Sequence, residues 1–141
     1  MSVGEGVPQR WWEIGLDEIV DVELSDDERD LLGEGLLHWG GPTSPTDALA
    51  QVIGFADVET MHADGQRIRE ALRNRRPLSK RDLQRALIAT EIVWASNFYG
   101  AAFEWEIVAA GWDDQRTLET LRQLQRRLAG LCAPPRGRGP G

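Results

Sequence analysis

From residue 12 the apolar positions fall at nearly every second residue: Trp12, Ile14 and Leu16, then Val20, Val22 and Leu24. Successive side chains of an extended chain point to opposite faces, so this period-two run, rich in β-branched types, predicts a short strand or extended arm. The pattern changes at Ser25. Ser25 and Glu28 have the spacing of a capping box, in which the hydroxyl accepts from the third helical N–H and the carboxylate reaches back to the cap. A helix is predicted over 26–39. Asp26, Asp27, Glu28 and Asp30 meet the positive end of its dipole, and Gly40, Gly41 and Pro42 end it.

The stretch Ser44-Pro45-Thr46-Asp47 repeats the start signal, with Pro45 at the first helical position, and predicts a helix over 45–54. Val58, Met61, Gly65, Ile68 and Leu72 form a stripe at helical spacing, giving a third helix over 57–75. Ser79 caps a fourth, with Asp82 closing its box and Leu78 packing on Leu83 as a staple. Here Leu83, Leu87, Thr90 and Trp94 share one face and Ile88 and Ile92 the opposite one, as in a central, buried helix. After Gly100, Phe103, Trp105 and Ile107 alternate with Glu104 and Glu106, which predicts a strand at 102–108 pairing with 14–24; a helical continuation is the rival. Asp113 or Asp114 caps the last helix, whose Leu118, Leu121, Leu124 and Leu128 read as a core stripe, with Arg126 and Arg127 at its C-terminal end. The expected fold is mainly α: a compact bundle of about five helices with a minor two-stranded element (residues 14–24 and 102–108). One domain, 11–131, lies between flexible tails at 1–10 and 132–141.

Length and composition agree with one folded core: 141 residues, 41% hydrophobic and 28% charged, are too apolar for a disordered chain. No apolar run approaches the ~20 residues of a membrane span. The opening MSVGEGVPQR lacks the basic-then-apolar order of a signal peptide, so the cytoplasm is the expected location. Cys132 is the single cysteine and forms no internal disulfide. Charge changes the picture more. Residues 1–64 hold fifteen acids and two bases, and residues 65–141 eight acids and fourteen bases. Either the two segments pack against one another or they form a surface that steers a charged partner.

Catalytic motifs are missing. None of the serines sits in a G-x-S-x-G elbow and no P-loop exists; Gly33-Glu34-Gly35 lies inside a helix without the third glycine of a dinucleotide fingerprint. No cofactor is expected. Glu59, His62 and Asp64 are the one cluster with ligand chemistry, a pattern common on solvated helix surfaces, and no metal site is assigned. Glu91, beside Thr90 and Trp94, is either a desolvated acid or base or a carboxylate paired with Arg67 or Arg122. Without a positioned partner it defines no mechanism, and no catalytic residue is assigned.

Two functional expectations remain. Six tryptophans (Trp11, Trp12, Trp39, Trp94, Trp105 and Trp112) stand against one tyrosine, and tryptophan is enriched where an apolar face meets a partner. Trp94 and Trp105 suit the core, and Trp39 and Trp112 suit helix ends. Neighbours on a strand face opposite ways, so one of Trp11 and Trp12 should face outward. The leading expectation is a non-catalytic interaction module, a small regulatory or accessory protein. It would bind another protein, or a second copy of itself, through Trp11, Trp12, Glu13, Asp17, Glu18 and Asp21. A homodimer would use an exposed strand edge at 102–108 or an unsatisfied tryptophan patch. The alternative is a nucleic-acid binder: Leu49, Ala50, Ile53, Gly54, Phe55, Thr60 and Ala63 reproduce helix-turn-helix spacing. Its second helix would present Asp57, Glu59, His62 and Asp64 to phosphates, the wrong sign. The cations would then come from Arg67, Arg73, Arg75, Arg76, Arg81 and Arg85. No membrane association is expected.

Overall fold

A computed structural model describes residues 15–40, 45–102 and 104–132, the last three through their backbone alone. The elements in chain order are β1 (Ile19–Val20), α1 (Asp26–Leu37) with a 3-10 turn at His38–Gly40, α2 (Asp47–Ile53), α3 (Val58–Arg73), β2 (Leu78–Ser79), α4 (Lys80–Ala95), α5 (Trp105–Val108) and α6 (Asp114–Cys132). The fold is mainly α, as the periodicity predicts. Among the described residues no helix is long and apolar enough to cross a membrane.

Local chemistry sets the helix starts. Ser25 and Glu28 form the reciprocal box: the Glu28 N–H donates to Ser25 Oγ at 3.1 Å, and the Ser25 N–H donates to Glu28 Oε1 at 2.8 Å. Thr46 caps α2, accepting from the Leu49 N–H, so Pro45 precedes the cap instead of opening the helix. Ser79 caps α4 through the Asp82 N–H, but the Asp82 side chain turns to Arg67 and Arg85, leaving half of the expected box. At α6 the Asp113 side chain takes the Arg116 N–H at 2.8 Å.

The minor sheet is where expectation and structure part. β1 pairs antiparallel with β2, Ile19 opposite Ser79 and Val20 opposite Leu78, and not with 102–108. The ladder runs on into the start of α4, where the Lys80 N–H donates to Glu18 O at 3.0 Å and the Arg81 N–H to Leu16 O at 2.7 Å. The first N–H groups of a helix have no partner within it, so this end offers donors that an extended arm can satisfy. Residues 105–108 are a single helical turn. Trp105 and Ala109 are buried four residues apart while Ile107 is 79% exposed, so the apolar alternation never defined a buried face. Among the described residues of 102–108 there is no strand, so the edge expected for a homodimer is not found there. The extended reading of 20–24 holds: Val20 and Leu24 are buried and Val22 is packed against the core.

α1 lies against α3, α4 and α6, and α4 in turn packs on α6 and α2. α1 and α4 cross closely enough that a Cβ on Gly35 would fall 1.9 Å from Thr90 Oγ1 and 2.6 Å from Thr90 Cα. α4 is central, as its all-round apolar pattern implies, burying Leu83, Ala86, Leu87, Ala89, Thr90 and Val93. On α6 the buried stripe is Thr117, Leu121, Leu124 and Leu128, while Leu118 is exposed. Thr117 takes the inward place because its hydroxyl accepts the buried Trp105 indole N–H at 2.9 Å. The other described indoles are likewise engaged: Trp39 with Ala89 O, Trp94 with Asp114, and Trp112 with Asp30. α6 takes in Cys132. The rest of that tail, residues 1–10 and Phe103 lie outside the described residues.

Candidate functional site

The sequence dipole folds onto itself. Asp17 pairs with Arg81, Asp26 with Arg75, Asp27 with Arg116, Glu28 with Arg127, and Asp64 with both Arg67 and Arg85. Each joins an acid of the first half to an arginine of the second. Most of these pairs are solvated and contribute about 0–1 kcal/mol apiece. Glu28 differs, since its side chain is fully buried and its Oε2 meets Arg127 Nε at 3.2 Å.

Trp11, Trp12 and Glu13 of the expected docking surface lie outside the described residues. The rest of that surface surrounds β1. Glu18 accepts the Gly15 N–H and closes a turn, Asp17 is held by Arg81, and Asp21 and Glu23 are exposed. Among these acids Ile19 is 63% exposed and Leu16 40% exposed, while Val20 points inward. Among the described residues the sheet has two strands, so the outer edge of β1 carries no further strand.

Structure consumes most of the arginines named for nucleic acid. Arg67 forks onto Asp82 at 2.8 and 3.1 Å. Arg85 reaches Asp82 and Gly54 O, and lies 4.5 Å over the Phe55 ring. Burial alone would raise the Asp82 carboxyl, but the hydrogen bonds and charges of Arg67 and Arg85 outweigh it and hold it below the usual carboxylate range. Arg81 and Arg75 pair as above. Arg73 and Arg76 alone of the six are exposed without a partner among the described residues.

α2 and α3 are joined by a short turn at residues 54–57. Gly54 ends α2 in the left-handed region (φ 119°), its N–H returning to Ala50 O, and Ala50 and Phe55 are buried. Asp57 caps α3 through the Thr60 N–H, and Thr60 holds its carboxyl below the usual range. The exposed face of α3 then offers Glu59 and His62, which repel or ignore a phosphate backbone. Asp64 faces Arg67 and Arg85, so the Glu59, His62, Asp64 cluster does not converge. Among the described residues no three potential ligands do.

Glu91 is half-buried and accepts from Gln125 Nε2 at 2.7 Å; Gln125 Oε1 in turn accepts from Arg122 at 2.6 Å. Arg67 is elsewhere, and Arg122 reaches Glu91 only through this amide.

Sequence reasoning passed over a cleft of about 320 Å³ between α1 and α3. Arg69 and Arg73, one turn apart on α3, face Arg29, Asp30 and Glu34 of α1 across it. Nothing in the sequence marks Arg69 or Arg29 apart from the other arginines, since the cleft depends on how two helices cross. Comparison with protein-family models, curated proteins and solved structures finds no match.

Proposed function

We propose that the chain is a non-catalytic protein-interaction module, a small regulatory or accessory protein that docks a basic partner through the acidic segment around β1. The observation that carries this reading is the exposed Ile19 and Leu16, interspersed in sequence with Asp17, Glu18, Asp21 and Glu23, on a sheet edge that carries no further strand among the described residues. An extended segment added there would gain main-chain hydrogen bonds from the edge, an apolar contact over Ile19, and charge complementarity from the acids. Trp11, Trp12 and Glu13 precede this segment in sequence. A second copy presents the same acids and would meet like charge, which favours a different, basic protein. The lone cysteine suits a reducing compartment such as the cytoplasm.

The test is affinity capture from host lysate, split into nuclease-treated and untreated halves, with the native chain beside Ile19→Asp, Trp11→Ala with Trp12→Ala, and Phe98→Ser. Phe98 is the comparator because it is 84% exposed on another part of the surface, stacked edge-on against Tyr99. A partner retained after nuclease, kept by Phe98→Ser and lost with Ile19→Asp supports the reading. Recovery that nuclease abolishes, or that only Phe98→Ser loses, overturns it.

A further inference from the structure

The α1/α3 cleft is lined by four arginines and three acids. Its three acids are already engaged: Asp26 with Arg75, Asp30 with the Trp112 indole at 2.9 Å, and Glu34 with His38 at 2.8 Å. Two of its arginines are also answered, Arg75 by Asp26 and Arg29 by the carbonyls of Leu24 and Leu72. Arg69 and Arg73 have no partner among the described residues. Arg69 Nε is in addition buried without an acceptor, the single such side-chain atom among the described residues. Buried donors are almost always satisfied in folded proteins, so this guanidinium sits beside the cavity with its hydrogen-bonding capacity unmet among the described residues.

Charge, shape and size narrow the class. Arg69 and Arg73 are spaced i, i+4 and share a face of α3, placing two forked donors side by side. Planar guanidinium groups match the oxygens of a phosphate, which accepts several charge-assisted hydrogen bonds at once. The opposing wall contains Gly33, where a Cβ would have nothing within 4 Å, so that side of the cleft stays open. At about 320 Å³ the space greatly exceeds that of one or two waters and admits a small organic group attached to the phosphate.

We propose that this cleft is a binding site for a small phosphate monoester. Arg69 and Arg73 hold the phosphate, and Arg29 contributes charge from the α1 side. The site is separate from the β1 docking surface and does not depend on it. The chain carries a net charge of −7, which opposes diffuse accumulation of anions, so saturable binding of one equivalent reports this site.

The experiment follows arginine Nε–H resonances of the full 15N-labelled chain on titration with inorganic phosphate, glycerol 3-phosphate, or sodium chloride at matched ionic strength. The expected result is a saturable shift of the Arg69 Nε–H with both phosphates and not with chloride. Glycerol 3-phosphate should half-saturate at least threefold lower; equal half-saturation would limit the ligand to free phosphate and overturn the monoester assignment. Arg73→Gln should raise the half-saturating concentration at least tenfold, and Arg126→Gln on exposed α6 should leave it unchanged. A linear drift, a shift reproduced by chloride, or native affinity in Arg73→Gln would overturn the site.

Discussion

Two glycines two residues apart on α1 should respond to the same substitution with opposite signs. Alanine is favoured over glycine inside a helix by about 1 kcal/mol, because glycine has more backbone freedom to lose. At Gly33 a new Cβ meets nothing within 4 Å, so Gly33→Ala should keep most of that gain. At Gly35 it would lie 1.9 Å from Thr90 Oγ1 and 2.6 Å from both Thr90 Cα and Cβ. Carbon atoms pack best at about 3.5–4.0 Å, so the helices must part by roughly 1 Å even if the hydroxyl rotates away. Overpacking typically costs about 1–3 kcal/mol and here falls at the high end, because a backbone atom is among those hit. The net expectation for Gly35→Ala is about 2 kcal/mol of destabilisation, or roughly 8 °C in Tm for a chain of this size. Gly33→Ala should melt up to roughly 4 °C above the native protein. Thermal and urea unfolding of both variants check this. Adding Thr90→Ala to Gly35→Ala removes the hydroxyl and a methyl but not Cα or Cβ, so it should recover only part of the loss. A Gly35→Ala protein as stable as Gly33→Ala, or one fully restored by Thr90→Ala, would refute the close-crossing argument.

The buried Glu28 gives an asymmetric pair of expectations. Arg127→Met leaves a fully buried carboxylate without its cation and should cost about 3 kcal/mol, whereas adding Glu28→Gln should restore much of it by removing the charge, both read by urea unfolding. Thr117→Val strips the acceptor from the buried Trp105 indole and should cost about 1–3 kcal/mol in the same assay. For Asp82 the sign follows from a folded-state pKa depressed below the unfolded value of about 3.9. Its contribution is then complete above about pH 5 and lost as pH falls through the folded value. The stability difference between native protein and Asp82→Asn should therefore be largest near neutral pH and shrink below about pH 4; a difference independent of pH would contradict the ion-pair assignment.

Where the chain carries its own local chemistry, the sequence was readable. The Ser25 and Glu28 box, the Ser79 cap and the Gly54 turn all arise within a few residues, whereas Trp94, expected in the core, is half-buried. The two-residue bridge at Leu78–Ser79 was not readable, because so short a strand has no periodicity and forms only where α4 presents free N–H groups to the arm. Residues 102–108 misled because Trp105 is the one buried residue among those described there; the neighbouring Ile107 supplied an apolar letter without a buried position. Leu118 misled similarly, since the need to satisfy Trp105 gave its inward place to Thr117. The acidic surface could be named from composition. The α1/α3 cleft could not, because what distinguishes Arg69 from Arg67 is which acids lie within reach after the helices pack.

The long reach of α1 has a consequence for how the protein is made. Glu28 meets Arg127, 99 residues later, Asp27 meets Arg116 across 89, and Asp30 meets Trp112 across 82. At about 5–20 residues per second of synthesis, the first helix waits roughly 5–20 s before the residues that neutralise its buried carboxylate exist. Until then its apolar face has only α3 and α4 to rest on, and Glu28 has no counterion. A ribosome-bound chain lacking α6 should therefore be protease-sensitive throughout α1, and protection should arrive late and all at once.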